Sequence, residues 1–161
     1  MQGTDERLMW EFIEKYLDKN QKLKILDLGS WDRNGSFRPL FDNPNWSYLG
    51  ADIQAGDNVD LVMKDPYDWG IEEQFDVVIS GNTIEHIQDL KRWVSGIPKV
   101  LKSGGFVVLI APFVHGLHKH PYDCWRIVED GMRWLVEDVC GFELIRAWTE
   151  NATTTGIGRK K

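Results

Sequence analysis

Cysteine is scarce: Cys124 and Cys140 are the two in 161 residues. They form neither a CxxC pair nor a ligand cluster, which excludes a disulfide framework and predicts a reduced, cytoplasmic protein. Long apolar runs are missing as well. The longest, near 106–114, falls well short of the roughly 20 residues a membrane helix needs. The opening "MQGTDERLMWEF" has no basic flank ahead of an apolar core, so it does not read as a signal peptide. Positive charge is in deficit, with 19 Lys and Arg against 25 Asp and Glu. Neutralising phosphates takes a concentrated basic excess, so nucleic acid is disfavoured as a partner, and the tail "GRKK" is too short to reverse that. Repeats, low-complexity tracts and linkers are absent too. Length then sets a single domain over 1–161, an N-terminal helix within 1–22 followed by a core in 23–161.

Tryptophan, by contrast, is plentiful, with eight residues. Trp10, Trp46, Trp69, Trp93, Trp134 and Trp148 fall on or beside predicted elements, where a core role is expected. Trp31 and Trp125 fall in loops and are candidate site residues.

The spacing of Leu8, Met9, Phe12, Ile13, Tyr16 and Leu17 predicts a helix over 5–19, with Thr4 or Asp5 as its cap. "LKILDLG", "SYLGAD", "VDLVM" and "FDVVIS" are short apolar runs ended by polar or turn residues, as buried strands are. A helix is expected from Asp89 to Leu101, kinked or limited by Pro98. "SGG" breaks the chain before the strand "FVVLIAP". Met132, Leu135, Val136 and Val139 predict another helix, stopped at Gly141, and "FELIRAW" can pair with "TGIGRK" in a terminal hairpin. Alternating strands and helices imply an α/β fold: a doubly wound, mostly parallel sheet with helices on both faces and ligands at the carboxyl ends of its strands.

The strand ends carry the chemistry. After the first strand, "DLGSWDRNGSFRPL" turns at Gly29 and again at Asn34–Gly35, and such a loop can offer backbone N–H groups at a helix N-terminus. It is not GxGxxG, and by itself equally fits a plain strand-to-helix turn. Asp52 ends the second strand about 20 residues on, the spacing at which an acid meets ribose hydroxyls. Asp65 either faces an adenine amino group or merely starts the turn before Pro66. In "SGNTIEHIQDL", Asn82 and Thr83 lie in a loop, and Glu85 with His86 can be no more than helix-entry residues.

Together, "ILDLGSWDRNGSFRPLF", "YLGADIQAGDNVDLV", "FDVVISGNTIEHIQDLKRWVSGIPKVLKSGGFVVLIAP" and "HPYDCWRIVEDGMRWLVEDVCGFEL" resemble the class I S-adenosylmethionine-dependent methyltransferases, the small type 11 group in particular. The resemblance covers 23 to about 146. It implies a Rossmann-like, seven-stranded sheet whose last strand is antiparallel, with S-adenosyl-L-methionine as cofactor and S-adenosyl-L-homocysteine as product. It implies that Asp27 and Gly29 approach the methionine part, Asp52 the ribose and Asp65 the adenine, while Asn82 and Thr83 line the methionine side and Glu85 and His86 match the family's "EH". Ser30, Asn34, Gly35 and Ile53 complete the cofactor set the resemblance implies. Trp31 and Arg33 depart from the family's usual glycines, matching a subgroup with a "GS-x-D-x-NGS-x-R" loop. A nicotinamide oxidoreductase is the nearest competitor, disfavoured because the loop lacks pyrophosphate-cradling spacing.

The stretch "HKHPYDCWRIVEDG" follows the fifth strand, where the methyl group is expected. Three readings compete. A metal site of His115, His118, His120 and Asp123 has the ligand types but no established spacing, and no metal is expected. A solvated loop is the second. The third is an acceptor wall: His118, or second His120, as base held by Asp123, with Tyr122 and Trp125 as walls and Arg126 as anchor or structural brace. His118, Pro121, Asp123 and Arg126 match an "H-x-x-P-x-D-x-x-R" pattern of similar small methyltransferases. Little material is left to roof the cleft, which suits transfer to oxygen or nitrogen of a small molecule or a sugar or glycan, or a lid from a homodimer or partner. The unusual glycine loop and missing roof also fit a non-catalytic cofactor-binding or scaffold module.

Overall fold

In a computed structural model, which describes residues 3–161, the apolar runs become seven strands. They are β1 (Leu23–Leu28), β2 (Trp46–Asp52), β3 (Leu61–Val62), β4 (Phe75–Gly81), β5 (Leu101–Pro112), β6 (Glu143–Glu150) and β7 (Thr153–Arg159). Their spatial order is β3-β2-β1-β4-β5-β7-β6, with β7 antiparallel to both neighbours and the others parallel. The chain builds outward from β1 to β3, then returns to lay β4 on the other side of β1. Strand order therefore reverses at β1, and the cleft above its carboxyl end is where such sheets bind ligands.

Successive residues of a strand point to opposite faces, so near-continuous apolar runs supply two cores at once. Ile25, Val77, Ile79, Val108 and Ile110 pack with Leu8, Met9, Phe12 and Ile13 of α1 (Gly3–Tyr16) and with Phe37 and Phe41. Leu26, Val78, Val107 and Leu109 pack on the other face with α2 (Leu90–Val94), α3 (Ile97–Val100) and α4 (Glu129–Trp134).

The structure corrects several expected elements. Asp5 lies inside α1 rather than ahead of it, and its buried carboxylate accepts from Asn82 Nδ2 (2.9 Å) and Thr153 Oγ1 (3.0 Å), tying α1 to the ends of β4 and β7. Between β1 and β2 there is no α-helix; a 3-10 turn at Arg38–Phe41 stands there instead, so Gly29–Gly35 does not lead into an α-helix N-terminus. The helix expected from Asp89 to Leu101 is broken at Ser95–Gly96, not at Pro98. A Cβ on Gly96 would lie 2.8 Å from the Trp69 indole, whereas Pro98 sits in the first turn of α3, where its missing N–H costs nothing. "SGG" does not end a segment. It belongs to β5, and its extra residues are absorbed by a register shift between Phe75 and Val77. The expected helix of Met132–Val139 runs as α4 and then widens into a π turn over Leu135–Val139, stopping at Gly141 (φ +71°).

Candidate active site

A cavity of about 440 Å³ opens above the carboxyl ends of β1, β2 and β4. Its floor is fixed by main-chain bonds. Gly29 N and Ser30 N both donate to Ala51 O (2.8 and 3.2 Å), locking the loop after β1 to the end of β2. Gly29 has φ +81°, and a Cβ there would lie 2.1 Å from Thr83 Oγ1, so glycine is what lets the loops after β1 and β4 touch. The Asp52 carboxylate accepts from Trp31 N (3.2 Å) and Gln54 N (2.9 Å). Both its oxygens are thereby aimed along the cavity wall, with lone pairs left for a diol. Asp27 is buried, takes a hydrogen bond from Tyr48 Oη at 2.5 Å, and is pushed up to about 7 by burial, against the pull of that bond and of the Arg38 charge.

The opposite end is imidazole. His86, His115, His118 and His120 all border the cavity, and the His86 and His118 rings meet edge to face at 4.9 Å. Hydrogen bonds fix their tautomers. Nδ1 of His86 lies 2.6 Å from Tyr122 O, Nδ1 of His115 2.8 Å and Nδ1 of His118 3.1 Å from Gly116 O. Carbonyls only accept, so these Nδ1 atoms carry the protons and the Nε2 lone pairs are bare. His120 is the reverse. Its Nδ1 accepts from Arg33 at 2.6 Å, and burial together with that guanidinium holds it below the usual histidine range. Burial also lowers His86.

Of the sequence-predicted cofactor residues, Asp27, Gly29, Ser30, Asn34, Gly35, Asp52, Ile53, Asn82, Thr83 and His86 lie on the cavity wall. Asp65 does not. Its carboxylate caps a turn, accepting from Tyr67 N (2.6 Å) and Asp68 N (3.2 Å). Glu85 lies behind the wall, fully buried. Of the expected acceptor residues, His118, His120 and Tyr122 border the cavity; Asp123, Trp125 and Arg126 do not. Asp123 stands 3.5 Å from the His118 ring at Nδ1, accepts from the His118 main-chain N at 2.8 Å and pairs with both terminal nitrogens of Arg126 (2.6 and 2.9 Å). That pair holds Asp123 well below the usual carboxylate range. Arg126 is thus a brace, and Trp125 pins the loop through Nε1 to Ile87 O (2.7 Å). With Asp123 and His120 so engaged, the ligand set of His115, His118, His120 and Asp123 is not assembled. Sequence reasoning missed Met63, Tyr67, Ile87 and Gln88 on the wall. Met63 ends the third apolar run, so the rule of looking just past each strand was the signal for it.

The donor set suits an adenosyl amino acid: a backbone-oriented acid for the ribose, an acid beside the glycine turn, and apolar Ile53, Met63 and Tyr67 for a purine. A doubly wound sheet with its cavity at the switch point and a seventh strand inserted antiparallel defines a class I methyltransferase fold. A family profile described as "Methyltransferase domain" matches residues 1–151, and the chain belongs to that family of enzymes. Solved structures agree on the fold. An N1-methyltransferase of 1,6-didemethyltoxoflavin from Burkholderia thailandensis, holding S-adenosylhomocysteine, has TM-score 0.77 and 12% identity over 97% of this chain and 78% of that one. A SAM-dependent methyltransferase from Aquifex aeolicus has TM-score 0.68 and 12% identity, covering 98% of each. The CurJ carbon methyltransferase has TM-score 0.71 and 17% identity over 97% of this chain, which spans 53% of its length. No curated protein sequence matches. Among the described residues no helix is long and apolar enough to cross a membrane.

Proposed function

We propose that this domain transfers a methyl group to an oxygen, or else a nitrogen, of a small metabolite or a sugar unit of a glycan in the cytoplasm. The observation that carries the reading is the imidazole wall of His115 and His118, set across one cavity from the residues proposed to cradle ribose and methionine. When bound, S-adenosylmethionine supplies an electrophilic methyl whose departure leaves a neutral thioether. The chain's own residues do the rest. Asp52 and the Gly29 turn fix the donor, and positioning of this kind supplies much of the rate of an in-line displacement. A hydroxyl must also lose its proton, and the His118 side of the wall withdraws it. His120, with Nδ1 engaged by Arg33, serves orientation instead. Val114, Leu117 and Tyr122 leave apolar surface exposed on the same loop as His115 and His118, which an acceptor ring or a lid from a second copy or partner can cover.

Methyl-labelled cofactor with a panel of hydroxylated and amine-bearing metabolites and sugars tests the reading. His118→Ala is expected to keep S-adenosylhomocysteine affinity while turnover drops by about 10²–10⁴-fold. Full turnover in that variant would remove His118 from the chemistry.

A further inference from the structure

Glu85 has a fully enclosed side chain, yet among the described residues neither carboxyl oxygen has a hydrogen-bond partner. Burying a polar group in that state is costly unless something cationic or donating binds it. Two imidazole nitrogens stand nearest: His86 Nε2 at 3.6 Å and His118 Nε2 at 3.7 Å from Oε1. Both lie beyond hydrogen-bond reach. Both are bare, because each ring has given its Nδ1 proton to a main-chain carbonyl, Tyr122 O or Gly116 O. One carboxyl group and two imidazole nitrogens therefore converge, all three ligand atoms within 4.8 Å of one another.

Two of the three spacings are close to what a metal imposes. Zinc bonds of about 2.0–2.1 Å at tetrahedral angles put neighbouring ligand atoms roughly 3.3 Å apart, so the two gaps from Glu85 close by a few tenths of an ångström, and the imidazole nitrogens, within 4.8 Å of each other, close by a turn of the part-exposed His118 ring. Imidazoles steered by carbonyls on their far nitrogens are the usual support of such ligands. The backbone is braced as well: Cys124 N (2.7 Å) and Trp125 N (3.2 Å) both donate to Glu85 O, stitching the loop that bears His118 to the segment that bears Glu85 and His86.

We propose that Glu85, His86 and His118 hold one divalent transition-metal cation, with an open position facing the acceptor end of the cavity. Two imidazoles and one carboxylate suit zinc and its neighbours, not the all-oxygen shells of magnesium or calcium. The proposal rests on the methyltransferase reading and states how the His118 wall works. When bound, the ion would acidify an acceptor hydroxyl beside it, and His115, whose ring centroid lies 4.2 Å from that of His118, would take that proton. The acceptor oxygen then forms its bond to the methyl carbon as the carbon–sulfur bond breaks, and sulfur keeps that pair. His118 acts as ligand, not as base.

Chelator-stripped protein titrated with Zn²⁺ by calorimetry, and with Co²⁺ by visible absorption, tests this. One ion per chain is expected, with cobalt bands of four- or five-coordinate geometry. Glu85→Gln and His118→Ala are each expected to weaken Zn²⁺ beyond the roughly 10–100-fold that losing a supporting partner costs. Should Glu85→Gln fail to fold, the part-exposed His118→Ala carries the same test. No zinc binding by the wild type, or affinity undiminished in His118→Ala, overturns the metal. Intact zinc binding without S-adenosylhomocysteine binding sinks the methyltransferase reading instead.

Discussion

The two ends of the cavity are built by different means. The end proposed to hold the cofactor is made by the sheet: Gly29 and Ser30 hang on Ala51 O, Asp52 is aimed by two main-chain N–H groups, and Asn82 (φ +53°) is held by Asp5. The end proposed to receive the acceptor is a loop, 113–126, laid over the segment after β4 and fastened by a handful of bonds to Glu85 O, Ile87 O and the Arg126–Asp123 pair. Strand ends cannot shift without breaking the ladder, while a loop can be re-cut without cost to the core. A fixed donor end and an exchangeable acceptor end are how one fold serves many substrates.

The comparison breaks most sharply at Asp52. If the sheet end alone holds the cofactor, Asp52→Ala removes an acceptor for two ribose hydroxyls, each such bond to a charged group being worth about 1.5–3 kcal/mol. The expected loss of S-adenosylhomocysteine affinity is about 10²–10⁴-fold by calorimetry, with the melting temperature little changed. Undiminished affinity would mean that the cradle lies elsewhere.

Asp27 sharpens the cost of building that end inside the sheet. Its carboxyl is pushed from the usual 3.8 up to about 7, chiefly by burial. The folded protein therefore holds its proton more tightly than the unfolded chain does. Between about pH 4 and 7 the folded state carries the extra proton, so stability falls as pH rises through that window. Across pH 5 to 7 the fall due to Asp27 is about 2–3 kcal/mol. Denaturant titration should show this slope in the wild type and a shallower one in Asp27→Asn, the remainder being set by Glu85, likewise pushed up by burial to about 8, against His86 and His120, whose lowered values act in the opposite sense. Equal slopes in the two proteins would contradict the assignment.

The same contrast explains what the sequence could and could not show. Strands of one or two buried faces announce themselves as apolar runs, and the residues just past them fall on the cavity because strand ends do. Asp27, Gly29 and Asp52 are legible for that reason. Gly96 was not, because the break it allows depends on Trp69, which approaches from another part of the chain. Asp65 was ambiguous because an acid before proline satisfies a turn and a ligand equally well, and the turn claims it. The histidine loop was legible in composition only. Which nitrogen of His120 is engaged depends on Arg33, and the partners of Glu85 depend on how the loop folds back over it. Such contacts join distant segments and leave no local pattern.

The smallest expected effect separates bracing from chemistry at the acceptor end. Arg126 reaches no cavity surface, but its guanidinium joins Asp123 to His115 O and Gly116 O, the carbonyl that also sets the His118 tautomer. Removing it in Arg126→Ala leaves every ligand-facing group in place and frees only the loop's path. A misplacement of about 1 Å can cost up to 10²-fold in rate, and Trp125 still pins the loop, so a fall on the order of tenfold is expected. Cofactor affinity should stay at the wild-type value, because no strand end moves. Arg126→Lys keeps the charge but not the two-pronged bond, and should recover little of the loss. If Arg126→Ala instead weakens S-adenosylhomocysteine binding, the two ends are coupled, and the loop is part of the cradle rather than an exchangeable wall laid over it.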